Sequence, residues 1–457
     1  MKNVPVQKNQ ELELTIEDLS YQGLGVAKVA GYPLFIENAL PGEKILAHVL
    51  KTSKNYGFAK AVKRYNDSPE RQKITDRKFL QTGIAPLQHL TYPAQLKFKQ
   101  NQIKQLLHKA HLDMIEVLPT IGMQEPLHYR NKAQIPVRMI NGQLETGFFR
   151  QRSHQFVVLH DFLIQEPRID QVLGTVRELL NKFEIPAYNE TAHSGIVRHI
   201  VIRRGHYSQE VMVTLVTRTP KLPAGTQIAH EIIERCPDVV SVYQNINPQR
   251  TNVIMGTAEK LLAGKTQITD QLNGLKFAIS PRSFFQVNSV QTEKIYQYAV
   301  EAAQLSGKET VIDAYCGIGT ISLTLAQKAA KVFGVEIVPD AIADAKKNAK
   351  LNGITNTEFK VGSAVEWMKK WADQDLKPDV VVFDPPRKGL DSEVLESTLQ
   401  LAPKRIVYVS CNPATLVRDL RYLLDHGYSV AQPIQPFDQF PQTNHVESVT
   451  VLERTEK

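Results

Sequence analysis

Cysteine is scarce in this chain: Cys236, Cys316 and Cys411 are the only three in 457 residues. Odd in number and far apart, they exclude a disulfide framework and a metal site built from cysteine alone. Long apolar runs are missing as well. No window approaches the ~18 apolar residues that a membrane span needs, and the opening "MKNVPVQKNQELELTIEDL" has no apolar signal core. Internal repeats and low-complexity tracts are also lacking. These absences lead us to expect a soluble protein of the reducing cytoplasm with no membrane association.

What is present is ordinary globular composition, 42% hydrophobic and 22% charged, which excludes disorder. At this length two or three domains are expected. A formal charge of +8 is compatible with a polyanionic partner without demanding one. Its distribution is more informative. Arg130, Lys132, Arg138, Arg150 and Arg152 face a single acid, Glu145, with Tyr129, Phe148, Phe149 and Phe156 interleaved; Arg198, Arg203 and Arg204 extend the series. Guanidinium groups beside aromatic faces suit single-stranded RNA. A basic sheet face over core aromatics would read the same way.

Three regions separate along the chain. Short alternating runs such as "LFIENAL" and "ILAHVL", punctuated by "YQGLG", "AGYP" and "LPGE", predict a small β-barrel in residues 1–65. The polar stretch "YNDSPERQKITDRK" reads as a linker. Strand-like "GIVRHIVIRR" and "EVMVTLVTR" mixed with helical "QLKFKQNQIKQLLHKA" predict an α+β central domain over 66–272. In 273–457, "TVIDAY", "KVFGVEIV", "DVVVFDPP" and "RIVYVS" alternate with helices, the pattern of a Rossmann-like, doubly wound parallel sheet. Such sheets bind ligands at the carboxyl ends of their strands.

The first of these ends reads "VIDAYCGIGT". Gly317 and Gly319 permit a tight turn before a helix whose N-terminus suits a carboxylate. They also suit a mere strand-to-helix connection. A dinucleotide fingerprint would need glycine where Ser322 stands. The second end places Glu336 twenty-three residues beyond Asp313, suitable for ribose hydroxyls. At the third, two prolines hold Asp384 on a stiff, extended loop. At the fourth, "VSCNPATL", Cys411 stands before a helix N-terminus, where a thiolate is favoured; the bland alternative is a small core hydrophobe.

In this order "SFFQVN", "DAYCGIGT", "DPPRKGL", "VYVSCNPATLVRDL" and "FPQTNHVE" resemble the RNA (uracil-5-)-methyltransferases, closest to the branch acting on 23S ribosomal RNA. Upstream, "YQGLGVAKVAGYPLFIENALPGE" resembles that family's TRAM barrel, an OB-like fold, and "YRNKAQIPV" and "TGFFRQRSH" resemble its central domain. The resemblance implies an α/β methyltransferase that uses S-adenosyl-L-methionine, acts on RNA (23S rRNA first, tRNA as the alternative) and works as a monomer. It implies Cys411 as nucleophile, Glu447 as the base that takes the C5 proton, and Gln286, Tyr315, Glu336 and Asp384 as cofactor contacts. From the residues alone, Glu447 would pass for a solvated acid. Cys316 reads as loop packing, because the enzymes that use two cysteines carry the second where this chain has Arg387. Many relatives hold an iron–sulfur cluster through four cysteines, at positions that align here with Asp76, Thr82, Ala85 and Phe162. Without a thiolate no such cluster is expected, nor any other metal. Two other classes remain open: a silent RNA-binding or ribosome assembly factor, and an enzyme acting on an exocyclic amine.

Overall fold

A computed structural model describes residues 4–455. Its first strands, from Glu11–Thr15 to Gly57–Arg64, form one curled six-stranded sheet. The alternation in "YPLFIE" and "KILAHVLKT" puts Leu34, Ile36, Ile45, Ala47 and Val49 on one inner face. Glu11–Thr15 pairs with Lys44–Thr52, whereas Asp18–Leu19, two residues later, pairs with Gly25–Val29. The two ends of the sheet are therefore two halves of one bent strand, and the sheet wraps around its own core. The polar stretch that follows is tied back to it: Arg71 donates to buried Glu43 and to the Asn38 side chain.

A seven-stranded sheet comes next, with Val197–Arg204 at its centre between Val211–Thr217 and Lys132–Ile140. Helices Pro167–Lys182 and Gly225–Arg235 bury apolar faces on it. Ala85 and Phe162, two of the positions aligned with cluster cysteines, lie fully buried in this core beside Phe79, and Phe148 meets Phe162 edge-on at 5.7 Å. Asp76 caps the short helix Arg77–Thr82 by accepting from the Lys78 amide at 2.8 Å. This corner is filled by hydrocarbon. Among the described residues, no group of three or more His, Cys, Asp or Glu is placed to hold a metal ion.

The third sheet has eight strands: β1 (Thr310–Asp313), β2 (Lys331–Glu336), β3 (Thr357–Val361), β4 (Val380–Phe383), β5 (Arg405–Ser410), β6 (Tyr428–Val430), β7 (Gln435–Phe437) and β8 (Glu447–Arg454). The order is β3-β2-β1-β4-β5-β8-β6, with β7 also on β8. The first five are parallel, with the switch point between β1 and β4. In contrast to the purely parallel sheet expected, β8 runs antiparallel to β5.

One helix packs away from its neighbours in sequence. α1 (Tyr92–Lys109), opened by Pro93 in its first turn, buries Ile103 and Leu107 in the same core as Leu416, Leu420 and Leu423 of α3 (Pro413–Asp425). The short helix between them in sequence, α2 (Thr320–Ala326), follows β1. α1 also buries a charge: Lys99, 0% exposed, pairs with Asp438, also 0% exposed, and donates to the Phe440 carbonyl at 2.9 Å. Removing one partner leaves the other charged and dry. Lys99→Met should therefore lower unfolding free energy by about 3–5 kcal/mol in chemical denaturation. Lys99→Met with Asp438→Leu should recover most of that loss; a single change with no effect would refute the assignment.

Candidate active site

The carboxyl edge of the third sheet opens into a cavity of about 650 Å³. Gln286, Tyr315, Glu336, Asp384, Cys411 and Glu447, the six residues singled out from the sequence, all line it. Each stands at or just beyond a strand tip, apart from Gln286, which reaches in from the segment before helix Ser289–Ala302.

At the tip of β1, buried Asp313 accepts from Ser322 Oγ at 2.5 Å, so the position that breaks a dinucleotide pattern braces the turn instead. Gly319 caps α2 at φ 87°, a left-handed conformation that glycine adopts without strain. Cys316 is buried in the core and burial pushes its thiol well up, in agreement with a packing role. Glu336 lines the cavity at the tip of β2 and accepts from the Val338 amide at 3.0 Å.

β5 and β8 bring a thiol and a carboxyl group to the same edge. Ser410, the last paired residue of β5, faces Ser448 of β8, so Cys411 and Glu447 are the next residues of the two chains at the same edge, and Glu447 lies near enough to act on the Cys411 thiol. β8 enters the edge with its N-terminus, so its first residue points where the parallel strands end. Glu447 is 6% exposed, unlike the solvated acid its sequence context suggests. Asn412 caps α3 by accepting from the Ala414 amide at 3.2 Å, and helix begins at once at Pro413.

Electrostatics correct one expectation. A helix N-terminus favours thiolate, but burial, followed by the nearby Glu447 and Asp384, pushes the Cys411 thiol up to about 12, against the opposing pull of Arg387 and of a backbone hydrogen bond. Burial and Asp384 likewise raise Glu447 well above the usual carboxylate range. Burial and Asp313 push Asp384 up to about 7, and burial pushes Asp313 up to about 6. The site thus concentrates acidic groups that resist ionising together.

The segment 438–446, which delivers Glu447, is pinned from several elements. Gln95 and Gln442 exchange hydrogen bonds at 3.0 Å, Gln102 donates to the Asn444 carbonyl at 3.0 Å, Tyr129 to the Pro441 carbonyl at 3.1 Å and Asn288 to the Gln439 carbonyl at 3.0 Å. Phe440 and His445 reach the cavity from this segment, and Arg387 donates to His445 Nε2 at 3.4 Å. Sequence reading passed over these residues. The run of glutamine, asparagine and threonine in "DQFPQTNHVE" is the signal available, since such side chains in a loop commonly satisfy backbone.

The basic stretch divides. Arg198 donates to the carbonyls of Asn247, Gln249 and Thr251 at 2.6–3.0 Å. Arg203 donates to the Ser283 carbonyl at 2.7 Å, Arg204 pairs with Glu166 at 2.5 Å, and Arg138 lies 4.9 Å over the Phe149 ring. Tyr129 is buried. These members build the protein and its junctions; Arg150 and Arg152 remain beside open space.

A doubly wound sheet with a glycine turn, a strand-tip acid and a thiol facing a carboxyl group, preceded by two β-rich units, defines a methyltransferase. The family model described as tRNA (Uracil-5-)-methyltransferase matches residues 91–455, and that of the TRAM domain matches 5–62. Proteins named uncharacterized RNA methyltransferase from Lactiplantibacillus plantarum and Enterococcus faecalis are 56% and 53% identical, with 99% of each chain covered in both cases. The solved tRNA (uracil-54, C5)-methyltransferase of Pyrococcus abyssi, in complex with S-adenosyl-L-homocysteine, is 27% identical with a TM-score of 0.77, covering 96% of this chain and 100% of that one. The chain belongs to the tRNA (uracil-5-)-methyltransferase family and is an RNA methyltransferase.

The acid-rich cavity has a measurable consequence for stability. The folded Asp384 holds its proton up to about pH 7, against an ordinary value of 3.8, so over that window the folded state binds more protons than the unfolded. Stability from this group is complete below about pH 4 and is lost as pH rises through 7. Asp384→Asn should melt with the wild type at pH 4 and a few degrees above it at pH 8. Parallel melting curves across that range would show that Asp384 is ionised throughout.

Proposed function

We propose that this enzyme transfers a methyl group from S-adenosyl-L-methionine to C5 of a uridine in RNA, through a bond between Cys411 and C6 of the base and removal of the C5 proton by Glu447. The observation that carries this reading is that Cys411 and Glu447, the residues adjoining the last pair of β5 and β8, both line the cavity that Gln286, Tyr315, Glu336 and Asp384 also line.

The residues fit the cofactor. Carboxyl groups whose mutual repulsion and burial keep them protonated gain most from a cation, and a sulfonium with an ammonium group is such a ligand. Glu336 would hold ribose hydroxyls; Gln286, Tyr315 and Asp384 would contact the remainder. When bound, S-adenosyl-L-methionine supplies an electrophilic methyl carbon. Positive charge there, with Arg387, lowers the cost of ionising Cys411 and the two carboxyls.

C5 of uracil is a poor nucleophile until its ring is activated. Addition of the Cys411 thiolate at C6 moves the C5–C6 π pair onto C5 and its carbonyl, creating an enolate. Once C5 carries the methyl group, Glu447 takes the C5 proton, the double bond re-forms, and the Cys411 thiolate leaves. Attack on the ring face requires a base that is flipped out or unpaired. We assign residues 1–65 and 66–272 to holding the surrounding RNA and 273–457 to catalysis.

For the substrate we assign 23S ribosomal RNA, on the closer likeness of the C-terminal motifs to that branch. Transfer RNA is the second reading, favoured by the Pyrococcus neighbour, which acts on tRNA. Mapping 5-methyluridine by mass spectrometry in a deletion strain and its parent separates them: the missing mark should lie in 23S rRNA, and a mark missing only from tRNA would reverse the order. With that RNA, Cys411→Ala should transfer no methyl group. Glu447→Gln should slow turnover at least about a hundredfold and accumulate a protein–RNA adduct that survives denaturing electrophoresis. Activity retained by Cys411→Ala would defeat the mechanism in favour of an amine target, and a wild type silent on all RNA would favour an assembly factor.

A further inference from the structure

Gln286 lines the catalytic cavity with a side-chain amide. An amide offers an acceptor from one side and two donors from the other, so the way its plane lies decides what a ligand meets. The backbone beneath it is fixed: the Gln286 carbonyl accepts from Asn131 Nδ2 at 3.0 Å, and the Val287 carbonyl accepts from the Asn131 amide at 2.8 Å. The amide plane itself is set by Gln439. This residue is 1% exposed and stands behind Gln286, outside the cavity lining. Its Nε2 donates to Gln286 Oε1 at 3.4 Å and to Thr292 Oγ1 at 2.8 Å.

The direction of these bonds is fixed from the far end. A threonine hydroxyl has one proton, and Thr292 gives it to the Asn288 carbonyl, one turn back in its helix, at 2.7 Å. Thr292 Oγ1 can therefore only accept from Gln439, and the atom of Gln439 facing it is nitrogen. Turned round, that amide would set oxygen against oxygen. Its two N–H groups would move to the place of Oε1, which has no partner among the described residues. The second N–H of Gln439 accordingly faces Gln286, which answers with Oε1. Gln286 Nε2 is left on the other side, toward the cavity and Tyr296. Burial and Asp384 push the Tyr296 hydroxyl up, and the Thr320 and Gln286 side chains pull it down. A side chain that lowers a phenol does so as a donor, which puts the Gln286 nitrogen on that side.

We infer that Gln439 is a positioning residue: held by Thr292, it turns the Gln286 amide so that an N–H donor faces the cavity and takes the carboxylate at the amino-acid end of the methyl donor. The inference rests on Gln286 being a cofactor contact and adds the residues that orient it. Glu336, Asp384 and Glu447 leave the cavity rich in carboxyl groups, which suit ribose hydroxyls and an ammonium group. A carboxylate brought among them needs a donor aimed at it. Tyr296 lies 3.2 Å from Thr320 Oγ1, the residue that follows the Gly317–Gly319 turn. The donor thus stands on the side of the glycine turn.

The test measures binding to the full-length enzyme without RNA, by calorimetry, using S-adenosyl-L-homocysteine and its decarboxylated analogue, which keeps the amine. Gln286→Ala should weaken S-adenosyl-L-homocysteine about tenfold and the analogue less than about twofold. Gln439→Glu keeps the length of the side chain. Neutral, it retains one O–H donor; ionised, it offers only acceptors and turns the Gln286 amide round. Its loss of affinity for S-adenosyl-L-homocysteine should therefore widen from about twofold near pH 6 to about tenfold near pH 9, with the analogue unaffected. A packing defect would weaken both ligands alike at every pH. Thr292→Val should lose affinity in the same direction, and Thr292→Ser should restore it. If Gln286→Ala binds S-adenosyl-L-homocysteine as the wild type does, the cofactor reading of Gln286 fails. If that variant loses tenfold while Gln439→Glu and Thr292→Val match the wild type, or weaken both ligands equally, the inference alone is overturned. It is overturned as well if these two variants change only KM for RNA, because the amide then serves the base.

Discussion

Everything at the catalytic edge depends on one antiparallel pairing. Five parallel strands bring only their carboxyl ends to the face where ligands bind, which accounts for Asp313, Glu336, Asp384 and Cys411. A second group brought to the same edge beside Cys411 must come from a strand running the other way, and β8, which begins at Glu447, supplies it. The segment before β8 must then cross the top of the sheet. Its backbone loses water there, so each carbonyl needs a donor. α1, Tyr129 and Asn288 provide them, and buried Lys99 does the same with a charge. That requirement explains why a helix early in the chain packs on the last sheet: it holds the strand entry that places Glu447.

The same pairing sets the electrostatics. In a poorly hydrated recess, burial and Asp384 suppress ionisation of both Cys411 and Glu447, and Glu447 adds to the effect on the thiol. A thiol pushed up in this way stays protonated in the free protein, which shields a scarce and partly exposed cysteine from oxidation. Activation requires positive charge, and only Arg387 lies close enough to oppose the shifts on both Cys411 and Glu447. On the mechanism proposed above, a cationic methyl donor would complete the balance and couple ionisation of Cys411 to occupation of the cavity.

Much of this was legible in the sequence, because strand tips in a doubly wound sheet are found by alternation of element type. Asp384 and Cys411 sit at the apolar-to-polar breaks that mark those tips. Glu447 was not legible from local pattern: its burial follows from register with β5 and from pinning by residues more than three hundred positions upstream, such as Gln95. Nor could composition separate the arginines that make the protein from those that face outward. Arg198 and Arg203 look identical to Arg150 in sequence, yet they donate to backbone carbonyls in the central sheet and at its junction with the "SFFQVN" segment. The upward push on the Cys411 thiol was not visible in the sequence for a related reason. A helix N-terminus is visible in sequence, whereas two carboxyl groups arriving from β4 and β8 are not.

The fate of the basic stretch bears on how RNA specificity can arise. A substrate held only by exposed arginines would be gripped through its phosphates, with little sequence preference. Here Arg198, Arg203 and Arg204 are bound internally, and Arg150 and Arg152 line a recess at the surface. In relatives with four cysteines at this corner a cluster would fix the adjoining loops; here Phe79, Ala85, Phe148 and Phe162 do so by packing. Apolar packing is permissive of surface change above it, because it constrains volume and leaves the identity of neighbouring polar side chains free. A corner built this way holds its loops by volume, so the polar side chains above it are not fixed by the packing beneath.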